Sequence, residues 1–111
     1  MSKICLLITT FPSAEEAQVF GKLVVGNHLA ACIQIQAPCT SIYQWEGVME
    51  TSQEYPVHIK TATSNKEALK KFIREHHSYE VPEIVCIDLD DVDSDYEKWV
   101  LSQTNKENKN D

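Results

Sequence analysis

The chain has 111 residues, 42% of them hydrophobic and 24% charged, which is typical of a single soluble globular domain. Its 17 acidic residues outnumber its 10 basic ones and give a net charge of −7, so its surface would repel a nucleic-acid phosphate backbone. No segment approaches the roughly 20 apolar residues of a membrane-spanning helix. We therefore expect neither a nucleic acid nor a membrane as a partner.

The four cysteines form no C-x-x-C pair, which excludes zinc-ribbon and thioredoxin-like sites. Residues 1–3 lead directly into a short apolar run, which is too brief for the hydrophobic region of a secretory signal. The thiols would stay free in a reducing compartment. We therefore expect a cytoplasmic protein.

The first part of the chain predicts a strand followed by a helix. Residues 4–10 form a continuous apolar, β-branched run, which indicates a buried strand. Ser13 and Glu16 match a capping box, in which the serine hydroxyl accepts from a free amide and the glutamate reaches back. Apolar residues at helical spacing then predict a helix over 14–26, and Gly26-Asn27 supplies the left-handed stop.

A long hairpin follows the helix. Residues 29–45 are rich in strand formers but are interrupted at Ala37-Pro38, which indicates an edge, a bulge or a bend. Glu46-Gly47 is typical of a tight turn, and residues 48–61 return as the antiparallel partner. Two-residue alternation places three side chains on one face of the outgoing strand: Ser41, Tyr43 and Trp45.

The second half predicts a helix, a strand and a last helix. Ser64 begins a second capping box, ahead of an apolar stripe formed by Ala68, Leu69, Phe72, Ile73 and His76. Residues 84–89 form a second short apolar strand. Ser94 begins a third capping signature before a short helix, and residues 105–111 form a polar tail.

The predicted order is strand, helix, strand, strand, helix and strand, with one helix appended. This is the ferredoxin-like βαββαβ pattern of the α+β class, in a single domain over residues 1–104. Helices on one face of the sheet leave the other face in need of cover. A chain of this size gains stability when it oligomerises.

Two adjacent imidazoles, His76 and His77, stand at the end of the second predicted helix. Neutral imidazole is a common ligand of copper and zinc, but adjacent helical residues point about 100° apart. Both rings could hold one ion only where the backbone deviates, as it can at a fraying helix end before Pro82. Alternatively, His76 packs beneath the apolar stripe while His77 caps the last carbonyls of the helix.

Three motifs resemble the CutA divalent-cation tolerance family. They are Leu29-Ala30-Ala31-Cys32, the Thr-Ser-x-Tyr-x-Trp-Glu-Gly hairpin of residues 40–47, and the His-x-Tyr-Glu-x-Pro-Glu run of residues 77–83. The resemblance covers residues 4–101. It implies a homotrimer whose three sheets pack together, while the hairpin of each protomer reaches a neighbour.

The resemblance also implies a metal site. Bacterial members are described as binding copper through a histidine pair, here His76 and His77, and through a cysteine of the first strand. This chain has Thr9 at that position, and a hydroxyl is a far poorer ligand for soft metals than a thiolate. A site that rests on the two histidines with water or a carboxylate would favour Cu(II), zinc or nickel.

A second constellation would line a small cleft at the subunit boundary, as the resemblance implies. Its candidates are Tyr43, Trp45, Glu46, Lys60, Tyr79, Glu80 and Glu83. Alternatively, the aromatic residues are interface anchors, and Lys60 pairs with Glu46 or Glu83. The chain shows no activated nucleophile and no Gly-x-Ser-x-Gly motif, so we do not expect an enzyme.

The sequence therefore predicts a cytoplasmic homotrimer that binds divalent metal, copper first, and is associated with metal tolerance. The alternative is a trimeric signalling or interaction scaffold similar to the PII proteins. Such a scaffold would take a small ligand or a protein partner in the cleft between subunits.

Overall fold

The computed structural model describes residues 2–104, which contain five strands and three α-helices. In chain order they are β1 (Ile4–Phe11), α1 (Ala14–Gly26), β2 (Cys32–Ile35), β3 (Cys39–Trp45), β4 (Val48–Ala62), α2 (Lys66–His76), β5 (Val85–Leu89) and α3 (Ser94–Gln103). The α+β class is confirmed. No helix in this part of the chain has the length and apolarity needed to cross a membrane. The predicted tail, 105–111, lies outside the described residues.

The 15-residue strand β4 organises the sheet, because three strands pair with it. The strand order is β2-β4-β1-β5, and β3 pairs with the first half of β4. Ala37-Pro38 falls between β2 and β3, so the predicted interruption is confirmed. Glu46 and Gly47 have φ angles of 51° and 81°, as the tight turn of a two-residue hairpin requires.

The two faces of the sheet are covered unequally. Helices α1 and α2 pack on one face, over a core that includes Cys5, Leu7, Phe11, Phe20, Ile59, Leu69 and Ile73. Side chains alternate along β1, so Ile4 points to the other face, where it packs against Val100 of α3. Beyond α3 this second face stays open, with Val85 44% and Ile87 46% exposed.

Helix α1 begins and ends at the predicted residues, but the left-handed conformation that follows it falls on a different residue. The Ser13 hydroxyl accepts from the Glu16 amide at 3.1 Å, so this cap is confirmed. The left-handed residue after the helix is His28, with φ 59°, and not Gly26 or Asn27. Asn27 instead donates its side-chain amide to a carbonyl of the last turn at 2.8 Å. A local hydrogen bond thus ends the helix here.

The other two predicted caps are wrong by about one residue, the usual precision of a helix start read from sequence. Ser64 lies inside a short 3₁₀ turn (Thr63–Asn65), and α2 begins after it without a side-chain cap. Asp93, and not Ser94, caps α3, because its carboxylate accepts from two amides of the first turn. An aspartate is as good a cap as a serine.

Candidate functional site

A cleft of about 830 Å³ opens at the end of the sheet where β1 stops. One wall is the β3–β4 hairpin, and the other is the loop of residues 78–83 between α2 and β5. Thr10, the next-to-last residue of β1, lies between the two walls. Segments that are distant in the sequence therefore meet in one cavity.

The structure brings five of the seven predicted cleft residues together. Tyr43 and Trp45 line the hairpin wall, while Tyr79, Glu80 and Glu83 line the loop wall. The hairpin pair share a face because side chains alternate along β3. The loop residues reach the cleft because the chain leaves the helix at His77, whose φ of −90° and ψ of 143° are extended.

The other two predicted residues, Lys60 and Glu46, do not line the cleft. Lys60 donates to Gln34 Oε1 at 2.9 Å and lies 5.8 Å from the centroid of the Tyr96 ring. Neither Glu46 nor Glu83 forms an ion pair with it within residues 2–104. The predicted pairing does not form within this chain, because Lys60 lies at the far end of β4, beside α3.

Two carboxylates of the cleft, Glu50 and Glu54, were missed by the sequence analysis. Both lie on β4, where Glu50 pairs with Tyr43, while Glu54 pairs with Cys39. Residues directly opposite in an antiparallel ladder share a face. The predicted turn at Glu46 already fixed this register, so counting outward from it would have identified both residues.

Glu54 is the buried carboxylate of the cleft, with only 7% of its surface exposed. The Thr10 hydroxyl donates to its Oε2 at 3.0 Å. Burial raises the pKa of Tyr79 above the range of an ordinary tyrosine, and the interaction of its hydroxyl with Glu54 raises this pKa further. Both effects favour the protonated form of the Tyr79 phenol.

His77 is a structural residue in this conformation. Its Nδ1 accepts from the Tyr79 amide at 3.0 Å, so the proton must be on Nε2, which donates to the Thr10 carbonyl at 2.6 Å. The ring also stacks on Phe11, with 4.5 Å between centroids. Both nitrogens are used, and His77 offers no lone pair to an ion. It therefore does not cap α2, contrary to the alternative drawn from the sequence.

His76 occupies a different environment, on the surface at the last residue of α2. Its ring stacks on Phe72 at 3.9 Å and its Nδ1 donates to the Phe72 carbonyl at 3.0 Å. This is the capping contact that the alternative assigned to His77. With the proton on Nδ1, the exposed Nε2 of His76 carries the lone pair that a metal needs.

Glu16, like His77, holds the start of this loop in place. The Glu16 carboxylate accepts from the Ser78 amide at 3.3 Å and from the Ser78 hydroxyl at 2.9 and 3.0 Å. Glu16 therefore does not complete the predicted capping box but connects the first turn of α1 to the loop. A glutamate in the first turn is also favoured by the helix dipole.

A complete metal site is not preformed in the described part of the chain. No three side chains of His, Cys, Asp or Glu within residues 2–104 are grouped so that they could hold an ion. Thr9, at the position implied for a cysteine ligand, is fully buried, and its hydroxyl has no hydrogen-bond partner. It points to the same face as Leu7, beneath the helices, so it does not face solvent.

Comparisons with known proteins agree on one family. The model of the CutA1 divalent ion tolerance protein matches residues 5–103. The divalent-cation tolerance protein CutA of Yersinia pestis (strain Pestoides F) is 34% identical over 99 residues, which are 89% of this chain and 83% of that protein.

Solved structures give the same result. The crystal structure of the divalent ion tolerance protein CutA1 from Ehrlichia chaffeensis has a TM-score of 0.89 and 30% identity, over 95% of this chain and 98% of that chain. The periplasmic divalent cation tolerance protein CutA from Archaeoglobus fulgidus has a TM-score of 0.88 and 27% identity, over 92% and 99%.

The two histidines should differ in their effect on stability. His77→Ala removes two hydrogen bonds and a stacked ring from a half-buried position, so it should lower the free energy of unfolding by about 2–3 kcal/mol. His76→Ala removes an exposed ring and should cost less than about 1 kcal/mol. Urea denaturation at pH 7.5 and one chain concentration measures both values. Equal losses would contradict these assignments.

Tyr79→Phe should change how stability depends on alkaline pH. The unfolded tyrosine ionises near pH 10, while the raised pKa keeps the folded phenol protonated, so the wild type loses stability as pH rises above about 10. The variant should be less stable by about 1 kcal/mol at pH 7 but should lose less above pH 10. Burial and Cys32 raise the pKa of Tyr96 to about 12, so both proteins should keep the part of the alkaline loss of stability that Tyr96 causes. If the free energies of unfolding of the wild type and the variant fell in parallel with rising pH, a raised pKa of Tyr79 would be excluded.

Proposed function

This chain belongs to the CutA1 divalent ion tolerance family, and we propose on that premise that it acts in divalent-cation tolerance by binding the cation reversibly. The observation that carries the proposal is the exposed imidazole of His76, whose own hydrogen bond leaves Nε2 as a free ligand. The cation is cargo of the protein and not a resident cofactor. The similar proteins are described as tolerance proteins, and we propose binding rather than catalysis.

The donors determine which cation fits. Within one chain, His76 can bind the cation directly. His77 could bind it only if its ring gave up the hydrogen bond to the Thr10 carbonyl or the one from the Tyr79 amide. The buried Thr9 hydroxyl adds no soft ligand. Imidazole with water favours Cu²⁺, Zn²⁺ or Ni²⁺, and copper binds most tightly in that series. We therefore propose a Cu²⁺ site of modest affinity.

We also propose that the protein is a homotrimer with a ferredoxin-like fold. The strand order β2-β4-β1-β5 supports the fold, since it agrees with the predicted split βαβ connections. Apolar side chains on the second face, Val85 and Ile87, support self-association, as do Ile42 and Met49 of the hairpin, which are 69% and 63% exposed. The location of the protein stays a prediction. Its four cysteines are free thiols, which fits the reducing cytoplasm, but the similar Archaeoglobus protein is described as periplasmic.

Metal titration tests the site. His76→Ala should weaken Cu²⁺ binding by at least about tenfold, whereas His77→Ala should change it by less than about threefold. Binding needs a deprotonated imidazole, so the affinity of the wild type should fall steadily from about pH 7.5 to 5.5. Calorimetry measures these affinities, and His28→Ala, at a surface histidine bonded to Gln103, serves as the matched control. A loss in the control equal to that of His76→Ala would reject the site.

The mass in solution tests the assembly. Light scattering during gel filtration should report about three times the 12.6 kDa chain mass at micromolar concentration. Ile87→Glu places a charge on the second face and should shift the mass toward one chain. A wild type that elutes as a single chain would overturn the assembly without affecting the His76 assignment.

A further inference from the structure

The cleft beside β1 is a strongly negative cavity. Its lining contains the carboxylates of Glu50, Glu54, Glu80 and Glu83 but no lysine, arginine or histidine. The ion pairs within residues 2–104 join Lys66 to Asp88 and Lys70 to Glu67, so no cleft carboxylate has a basic partner there.

Glu54 distinguishes this cleft from a surface patch of solvated carboxylates. It is 93% buried, since only 7% of its surface is exposed, and its hydrogen bond comes from the neutral hydroxyl of Thr10. Removing a carboxylate from water is costly unless an opposite charge compensates it. The described chain supplies no such charge, so a bound cation in the cleft would compensate the carboxylate.

A single metal ion is a poor match for this cavity. No three acidic, histidine or cysteine side chains within residues 2–104 converge on one point. A volume of about 830 Å³ also greatly exceeds that of one ion. The carboxylates are spread around the walls, and the complementary ligand must therefore carry its positive charges at several separated points.

The remaining walls are aromatic and apolar. Tyr43 and Trp45 are each 41% exposed, and they line the hairpin side of the cleft. Tyr79, Val81 and Pro82 line the loop side. Aromatic faces attract ammonium groups, and apolar walls favour methylene chains over water. Carboxylates and such surfaces in one cavity match a ligand that combines ammonium groups with short alkyl segments.

We infer that this cleft binds a linear organic polyamine. The ammonium groups lie against the four glutamates and the aromatic faces, while the methylene segments contact the apolar wall. This binding goes beyond the proposed function, because it assigns an organic cation to a second site that does not include His76.

Spermidine is the probe for the test, and Trp45 is the reporter. In a Trp99→Phe background Trp45 is the sole tryptophan, so its fluorescence reports the cleft directly. Spermidine should change this emission saturably and should give a matching isotherm by calorimetry. Magnesium chloride at equal ionic strength should reproduce less than about a tenth of the effect, since it lacks the alkyl and aromatic contacts.

Charge-neutralising variants locate the site. Glu50→Gln, Glu80→Gln and Glu83→Gln change exposed side chains and should leave the fold intact, each weakening spermidine binding by about threefold. Together they should weaken it by at least about tenfold. Glu75→Gln, on exposed α2 surface, is the matched control and should have no effect. His76→Ala should also leave spermidine binding unchanged.

Three results would overturn the inference. The first is the absence of saturable spermidine binding, and the second is a magnesium effect equal to that of spermidine. The third is an equal loss in Glu75→Gln and Glu80→Gln, which would show attraction to the net charge of the protein alone.

Discussion

The imidazole of His77 determines how one end of this molecule is built. One ring nitrogen donates to the carbonyl of Thr10 at the end of β1, and the other accepts from the amide of Tyr79 in the loop after α2. Stacking on Phe11 fixes the ring plane. The loop cannot leave β1 without breaking these half-buried hydrogen bonds, and that loop is one wall of the cleft.

This arrangement divides two neighbouring histidines between two roles. His77 holds the loop and the cleft in place, while His76 keeps one nitrogen free at the surface. The metal site that the sequence resemblance implied would use both histidines, but in this structure only His76 has an available donor, and the first strand carries a buried threonine. The proposed cation site and the cleft are therefore separable, so each can be tested without disabling the other.

The sequence predicted the fold better than the site, for reasons that particular residues show. Strand alternation and a recognisable turn placed Tyr43 on the hairpin wall of the cleft, and the same strand register would have placed Glu50 opposite Tyr43. The resemblance implied Lys60 in a cleft at a subunit boundary, whereas within one chain it lies near the end of β4, next to Gln34 and Tyr96. Relative to the alternative drawn from the sequence, the packing and capping roles of His76 and His77 are exchanged, because they depend on the residue at which α2 ends, and sequence patterns fix that residue only to within one or two positions.

The central claim is that His77 is committed to the fold while His76 is free, and the nitrogen-15 spectrum of the imidazoles tests it most directly. Two-bond proton–nitrogen correlations, assigned with the His76→Ala variant, should show His77 as the Nε2–H tautomer. Added Zn²⁺, a diamagnetic ion, should shift the Nε2 resonance of His76 and leave both nitrogens of His77 unchanged. A His77 ring in the Nδ1–H tautomer, or one that shifts together with His76, would contradict the account.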